Sequence, residues 1–306
     1  MRILITGGAG FIGSHLVEHY QHKADVIVID NFRSGHRHYL EGLRCDLVEG
    51  SVTDPILVDE AMRNADLVFH LSAMISVEES MSKPAECVDI NVNGLLNVLN
   101  AAVKHDAKKI VFASSAAVYG DNSTVPKQET MRPEPKSPYA ITKLDGEYYL
   151  EMFRLHTGLQ SASLRLFNVF GPRQDPKSAY AAAIPIFIRK AMANEDITIF
   201  GNGEQTRDFI YVKDIVAALA YAAESTDLHG TYNVGYGKSI TINRIVSEIT
   251  RLTGSSSKIQ YENERLGDVK HSRASVDRLI ETGFIPSHTL DEGIALTLDF
   301  YKNPTR

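Results

Sequence analysis

Four short apolar runs punctuate the first half of the chain: residues 3–6, 26–29, 67–71 and 110–113. Each is nearly continuous rather than alternating, the pattern of strands buried on both faces. The segments between them carry helical spacing, with a helix from about Phe11 and a long one over Val88–His105. Strands separated by helices form βαβ units, and such units build a parallel sheet covered on both sides. The pattern predicts an α/β fold, a doubly wound parallel sheet.

The second half is less regular. Lys136-Ser137-Pro138 reads as a cap followed by a proline at the start of a helix. A further strand is expected over Leu164–Phe167. Beyond Asn168 the chain turns loop-rich, with Gly171, Pro172, Pro176 and Pro185. Shorter elements follow at Ile197–Phe200, Phe209–Val212 and Thr231–Val234, with helices from Asp214 and Thr241. The expected organisation is a nucleotide-binding domain of residues 1–167 plus returning segments near 207–235. A smaller α/β lobe would comprise 168–206 and 236–306. Ligands of such sheets bind at the strand ends, where the strand order reverses.

Composition narrows the function. The chain has 306 residues, 38 acids against 32 bases, and a net charge of −6 with no basic block. Nucleic acid is therefore not an expected partner. The two cysteines, Cys45 and Cys87, make no metal-ligand pattern, and no metal is expected. No apolar run reaches the roughly 18 residues of a membrane span. The N-terminal residues read directly as a strand, so no signal peptide is expected. A protein of the cytoplasm is the expectation.

The candidate chemistry starts at the loop after the first strand. Thr6-Gly7-Gly8-Ala9-Gly10-Phe11-Ile12-Gly13 supplies glycines for a tight turn, for backbone approach to a pyrophosphate and for close helix packing. Asp30 ends the second apolar run, placed to accept hydrogen bonds from an adenosine ribose, so NAD is favoured over NADP. Arg33, nearby, is the residue that argues the other way. Tyr139 and Lys143 stand four apart, on one helical face. A tyrosine of ordinary pKa near 10 is a poor base. A lysine ammonium and a nicotinamide cation beside it would favour the phenolate. Ser115, at the end of the fourth run, could hydrogen-bond a substrate oxygen. Together the three suggest hydride and proton removal at a carbinol. Ser114 faces the other way, and His70 reads as a satisfied core histidine.

Over nearly its whole length the chain resembles the extended short-chain dehydrogenase/reductases of the sugar-nucleotide epimerase group, with the Rossmann-type fold. The resemblance rests on residues 6–15 (TGGAGFIGSH), Asp30-Asn31, His70-Leu71-Ser72-Ala73 and Asn91-Val92-Asn93-Gly94. It continues through residues 114–120, 139–143 and 164–168, then Arg207-Asp208 and residues 265–268. It implies NAD held by Gly7, Gly10, Phe11, Ile12, Gly13, Asp30, Asn31, Ser51, Val52, Leu71, Ser72, Ala73, Asn91, Tyr139 and Lys143. Tyr139 would be the base at the sugar 4-hydroxyl, with Lys143 on the nicotinamide ribose and Ser115 at the 4-oxygen. Asn168, Ala182, Ala183, Ile199, Arg207, Arg265, Asp268 and Ser272 would contact a UDP-sugar. A homodimer through helices over Pro84–His105 and Pro138–His156 is also implied.

Similar dehydratases carry an Asp-Glu pair where this chain has Ala116-Ala117, and elimination of water needs an acid and a base. Two alanines supply neither, which points to simple return of the hydride and epimerisation. In epimerases of the group this chain resembles, the residue at the position four after Asp268 lines the space beside the sugar 2-substituent. Here it is Ser272, and the resemblance implies room for an N-acetyl group. The expected function is interconversion of UDP-GlcNAc and UDP-GalNAc through a 4-keto intermediate, with UDP-Glc/UDP-Gal as a second activity. The alternatives are a UDP-glucose 4-epimerase without acetamido preference, another nucleotide-sugar oxidoreductase, and a non-catalytic NAD-binding regulator. The chain departs from the group at Ser51, usually an Asp beside the adenine, and at Leu166, often a tyrosine.

Overall fold

The structure, a computed structural model, describes residues 1–176, 183–264 and 270–303. They divide into two units, the first comprising 1–120, 131–166 and 216–232, the second 121–130, 167–215 and 233–306.

The first unit contains most of a seven-stranded sheet. Its strands are β1 (Arg2–Thr6), β2 (Asp25–Asp30), β3 (Asp46–Glu49), β4 (Leu67–His70), β5 (Lys109–Ser115), β6 (Gln160–Leu166) and β11 (Gly230–Val234). The order is β11-β6-β5-β4-β1-β2-β3, parallel from β3 through to β6. The direction of winding reverses between β1 and β4, and ligand crevices open outside the strand ends at such a point. The apolar runs give β1, β2, β4 and β5, as their continuous patterning requires. Strand β3 had no such signal: Asp46-Leu47-Val48-Glu49 is an exposed or half-buried edge.

Helices fill both faces. They are α1 (Phe11–Tyr20), α2 (Pro55–Met62), α3 (Val77–Ser82), α4 (Pro84–Val88), α5 (Gly94–Lys104) and α6 (Pro138–Thr157). The expected long helix is present, but Asp89–Asn93 between α4 and α5 winds as a π turn. Such turns commonly mark functional positions. Helix α6 begins as its sequence dictates. Ser137 accepts the Ala140 N–H, Pro138 follows, and Gly158 ends the helix in left-handed conformation. Leu95, Val98, Leu99 and Ala102 of α5 pack with Leu4, Val68, Ile110 and Phe112 of the sheet in one core.

The second unit is made of strand pairs and helices. Strand β7 (Asn168–Phe170) lies parallel to β10 (Phe209–Tyr211), β8 (Ile197–Phe200) parallel to β13 (Ile259–Glu262), and β9 (Thr206–Arg207) antiparallel to β12 (Ile240–Thr241). Helices α7 (Ala183–Met192), α9 (Ile242–Thr253), α10 (Asp277–Ile280) and α11 (Leu290–Lys302) complete it. Helix α8 (Val212–Glu224) joins β10 to β11. Asp208 ties the unit together, its carboxylate accepting the N–H groups of Tyr236, Gly237 and Ala274 at 2.7–3.0 Å.

Candidate active site

The glycine loop connects β1 to α1. Gly7 takes φ +72°, and a Cβ there would stand 2.9 Å from the Ser72 amide nitrogen. At Gly13 a Cβ would lie 2.1 Å from the Gly7 carbonyl oxygen, so these two glycines serve protein packing. Gly10 differs: an added Cβ would meet only the Gly7 oxygen, at 3.2 Å. The space it keeps clear faces outward, as close approach of a pyrophosphate demands. Gly10 also caps α1 without any side-chain hydrogen bond, leaving first-turn N–H groups available to an anion. The loop therefore fits a dinucleotide.

Asp30 lies beside it at the end of β2. Its carboxylate accepts the Ala9 N–H at 2.9 Å and the Phe32 N–H at 2.8 Å, and burial pushes its pKa up. Asn31 accepts the Arg33 N–H. The Ser51 hydroxyl accepts bonds from Thr53, and Val52 is buried, its carbonyl held by Asn97. Leu71 and Ser72 hang from Thr6, through its carbonyl at 3.1 Å and its hydroxyl at 3.3 Å. Asn91, in the π turn, holds the loop beyond Ala73: its amide bonds Met74 on both backbone groups and Thr142 Oγ1 at 2.9 Å.

The sheet end and α6 bring together the three residues that the sequence singled out. The Ser115 hydroxyl is hydrogen-bonded to the Tyr139 phenol and also accepts the Ala117 N–H at 3.1 Å. Lys143 is 4% exposed and donates to the Ala113 carbonyl at 2.7 Å. Its ammonium stands 5.8 Å from the Tyr139 ring centroid and 4.8 Å from that of Phe112. Burial pulls Lys143 down to about 8. Burial also raises the Tyr139 pKa, while the Ser115 bond lowers it in part. The lysine alone does not outweigh burial; the expected lowering of the phenol joins it to a nicotinamide cation. In the protein's own environment, desolvation of the phenolate outweighs the groups around it.

A buried network behind this face was not read from the sequence. Glu147, two turns after Tyr139 on α6, forms a bidentate pair with Arg165 of β6 at 2.8 and 2.7 Å. Both side chains are 5% exposed. Ser114 donates to the same carboxylate at 2.5 Å, and Arg165 donates to the Tyr119 hydroxyl at 2.9 Å. Ser114 thus faces away from Ser115 and is structural, as expected. The spacing Tyr139, Lys143, Glu147 was the available signal. His70 is half satisfied among the described residues: Nδ1 bonds Thr6 Oγ1 at 2.8 Å, while the buried Nε2 has no partner there. Burial holds it neutral, near 3.

The second unit carries the remaining expected positions. Asn168 bonds the Asp208 carbonyl through its amide and its backbone N–H. The Arg207 guanidinium donates to the Thr206 carbonyl at 2.9 Å. The Ser272 N–H is bonded to the same carbonyl, which sets Ser272 beside β9. Ile199 is 1% exposed and packs inside the unit, and Ala183 opens α7. A hollow of about 240 Å³ is lined by Phe200, Asn202, Gln205, Lys270 and His271 among others. Ala182, Arg265 and Asp268 lie outside the described residues. No group of three His, Cys, Asp or Glu among the described residues is arranged to hold a metal, and none of their helices is long and apolar enough to cross a membrane.

Comparison with known proteins identifies the family. The model of the NAD-dependent epimerase/dehydratase family matches residues 3–235. UDP-N-acetylglucosamine 4-epimerase from Methanobrevibacter ruminantium, solved with UDP-N-acetylmuramic acid, is 39% identical over 99% of both chains, with a TM-score of 0.96. UDP-glucose 4-epimerase from Thermotoga maritima, solved with UDP-glucose, is 37% identical over 100% of both chains, with a TM-score of 0.95. UDP-glucose 4-epimerase from Thermus thermophilus, solved with NAD, is 35% identical over 99% of both chains, with a TM-score of 0.90. The sheet, the dinucleotide loop and these likenesses agree: the chain is an enzyme of the NAD-dependent epimerase/dehydratase family, with NAD as its cofactor.

Proposed function

We propose that this enzyme is a UDP-N-acetylhexosamine 4-epimerase, interconverting UDP-GlcNAc and UDP-GalNAc and turning over UDP-Glc and UDP-Gal as well. One observation carries the reading. Tyr139 and Ser115 are hydrogen-bonded over a lysine-backed floor, and the turn that follows begins with Ala116 and Ala117. The pair can exchange a proton with an alcohol, and the two alanines can neither eliminate water nor assist loss of a carboxylate.

Tyr139, as phenolate, takes the proton of the sugar 4-hydroxyl, and Ser115 hydrogen-bonds the same oxygen. NAD, when bound along the glycine loop, would supply the hydride acceptor for C4 and the source of the returning hydride. The 4-ketone turns about its diphosphate linkage between the two transfers, so the hydride comes back to the opposite face. The Tyr139 phenol then returns its proton to the 4-oxygen. Asn168, Arg207 and Arg265 hold the diphosphate, arginine suiting it through its paired donors.

Ser272 favours the acetylated sugars, since a small side chain beside the 2-substituent admits an acetamido group. The relative solved with UDP-N-acetylmuramic acid supports a roomy pocket. We also propose a homodimer. Ile141, Tyr148, Met152 and Leu155 are each at least 43% exposed and recur at seven-, four- and three-residue steps along α6. Met81 and Val88 of α3 and α4 are exposed too. An apolar stripe of this kind needs a cover.

The test is incubation of purified enzyme with UDP-GlcNAc and no added NAD. Conversion to UDP-GalNAc without net NADH release is expected. Conversion of UDP-Glc alone would refute the acetamido preference, and stoichiometric NADH release would refute epimerisation.

A further inference from the structure

Arg33 leaves the loop after β2 and reaches two helices that follow β4. Its Nη2 donates to Glu79 Oε1 of α3 at 2.8 Å and its Nη1 to Glu86 Oε1 of α4 at 2.5 Å. Lys83 joins the same two carboxylates at 3.2 and 3.8 Å. Both glutamates are held below the usual carboxylate range by these cations, so the network is ionised at neutral pH.

The sheet order gives this bridge its place. Strand β1 lies between β2 and β4, and neighbouring strands stand about 4.8 Å apart. An ion pair from the end of β2 to the helices beyond β4 must therefore cross the C-terminal end of β1. That is where the glycine loop Gly7–Gly13 begins. The loop of Arg33 is fixed at its other points as well: the Phe32 N–H bonds Asp30, and the His36 N–H bonds the Ala9 carbonyl. The guanidinium connects it to the far side.

We infer that Arg33, Glu79 and Glu86 form a clasp across the dinucleotide groove, which must open for NAD to enter or leave. The clasp reassigns Arg33. A guanidinium already shared by two carboxylates is not a free cation for the 2′-phosphate of NADP. It holds the loop over the adenosine end and slows exchange of a cofactor that must survive both halves of a catalytic cycle. The inference depends on NAD lying along the glycine loop, and not on which sugar is epimerised.

The experiment measures release of bound NAD, by chasing the holoenzyme with a fluorescent NAD analogue. Arg33→Gln is compared with Glu79→Gln/Glu86→Gln and with the triple variant. Each exposed pair is modest, so release should quicken by about three- to tenfold. The triple variant should be no faster than either parent, the non-additivity of partners in one interaction. Release from the wild type should quicken with salt, and that dependence should flatten in the variants. Lys108→Gln removes an exposed pair with Asp66, before β4, and should leave release unchanged. If Arg33→Gln speeds release while the glutamate variant does not, Arg33 contacts the cofactor directly and the clasp is wrong. Unchanged release in both also overturns it. Purified enzyme that neither contains nor takes up NAD would instead refute the glycine-loop reading itself.

Discussion

Gly146→Ala tests whether the distance between α6 and β5 sets the chemistry. Gly146 lies between Lys143 and Glu147 on the buried face of α6. A methyl group there would stand 2.6 Å from Cζ and 2.7 Å from Cε1 of Phe112, and 3.2 Å from Cδ2 of Leu95. Carbon contacts relax at about 3.5–4.0 Å, so ring or helix must retreat by on the order of 1 Å. The ring has little freedom. It is 1% exposed, stacked on His70 with centroids 5.9 Å apart, and covered by the Lys143 ammonium. Helix α6 therefore takes up part of the shift, carrying Tyr139 away from Ser115, which sits on the same strand as Phe112.

Overpacking costs about 1–3 kcal/mol, and alanine in place of a helical glycine returns about 1 kcal/mol. A net loss of about 1 kcal/mol in urea unfolding is expected. Turnover should suffer far more, because a misplacement of about 1 Å can cost on the order of a hundredfold. The expected pattern is a fall in kcat of about 10- to 100-fold with KM nearly unchanged. A variant that is more stable than the wild type and turns over within twofold of it would show that Phe112 yields freely, and the reasoning would fail.

Tyr139→Phe should lower kcat at least about a hundredfold while retained NAD, measured by absorbance, stays at wild-type level; full activity would remove Tyr139 as the base. Ser272→Tyr should cut kcat/KM for UDP-GlcNAc by about 10- to 100-fold through steric exclusion and spare UDP-Glc, whereas equal loss of both would defeat the gate. Leu155→Glu should shift the protein to monomer in light scattering, and a dimer that persists would place the interface elsewhere. Lys143, drawn down to about 8 from the usual 10.5, loses its proton first in the folded protein as pH rises. Turnover should therefore fall through about pH 8. Between that value and 10.5 the unfolded chain binds more protons, so the cost of burying this lysine shrinks and stability gains with pH. Activity climbing steadily to pH 10 would contradict the ammonium's role.

The central strands were legible because burial on both faces leaves a continuous apolar run, and Ser137-Pro138 announced α6 by its capping chemistry. Strand β3 was not, since an edge strand with exposed Asp46 and Glu49 carries no such run. The π turn at Asp89–Asn93 was hidden by a helical pattern that its extra residue per turn barely disturbs. Among the candidate residues, Ser115, Tyr139 and Lys143 meet as their spacing implied. The Arg165–Glu147 pair was harder to read, since its partners are 18 residues apart and the spacing of Tyr139, Lys143 and Glu147 hints at one of them alone. Arg33 raised a question of cofactor phosphate that only the positions of Glu79 and Glu86 address.

The electrostatics of α6 carry the largest lesson. Read from the sequence, two cations together make the tyrosine a base, a lysine one turn away and a nicotinamide ring. In the fold, both side chains are driven toward their neutral forms by burial, the phenol upward and the ammonium downward. The Ser115 hydroxyl on the phenol and the Ala113 carbonyl on the ammonium offset this in part. A base that must ionise in such a setting needs a further positive charge close by, and an oxidised nicotinamide ring is one. In the proposed mechanism Tyr139 is then a base by virtue of the cofactor, since burial alone favours its neutral form. The Glu147–Arg165 network fits the same requirement. It brings charge into the core paired, and ties α6 to β5 through Ser114 and to β6 through Arg165.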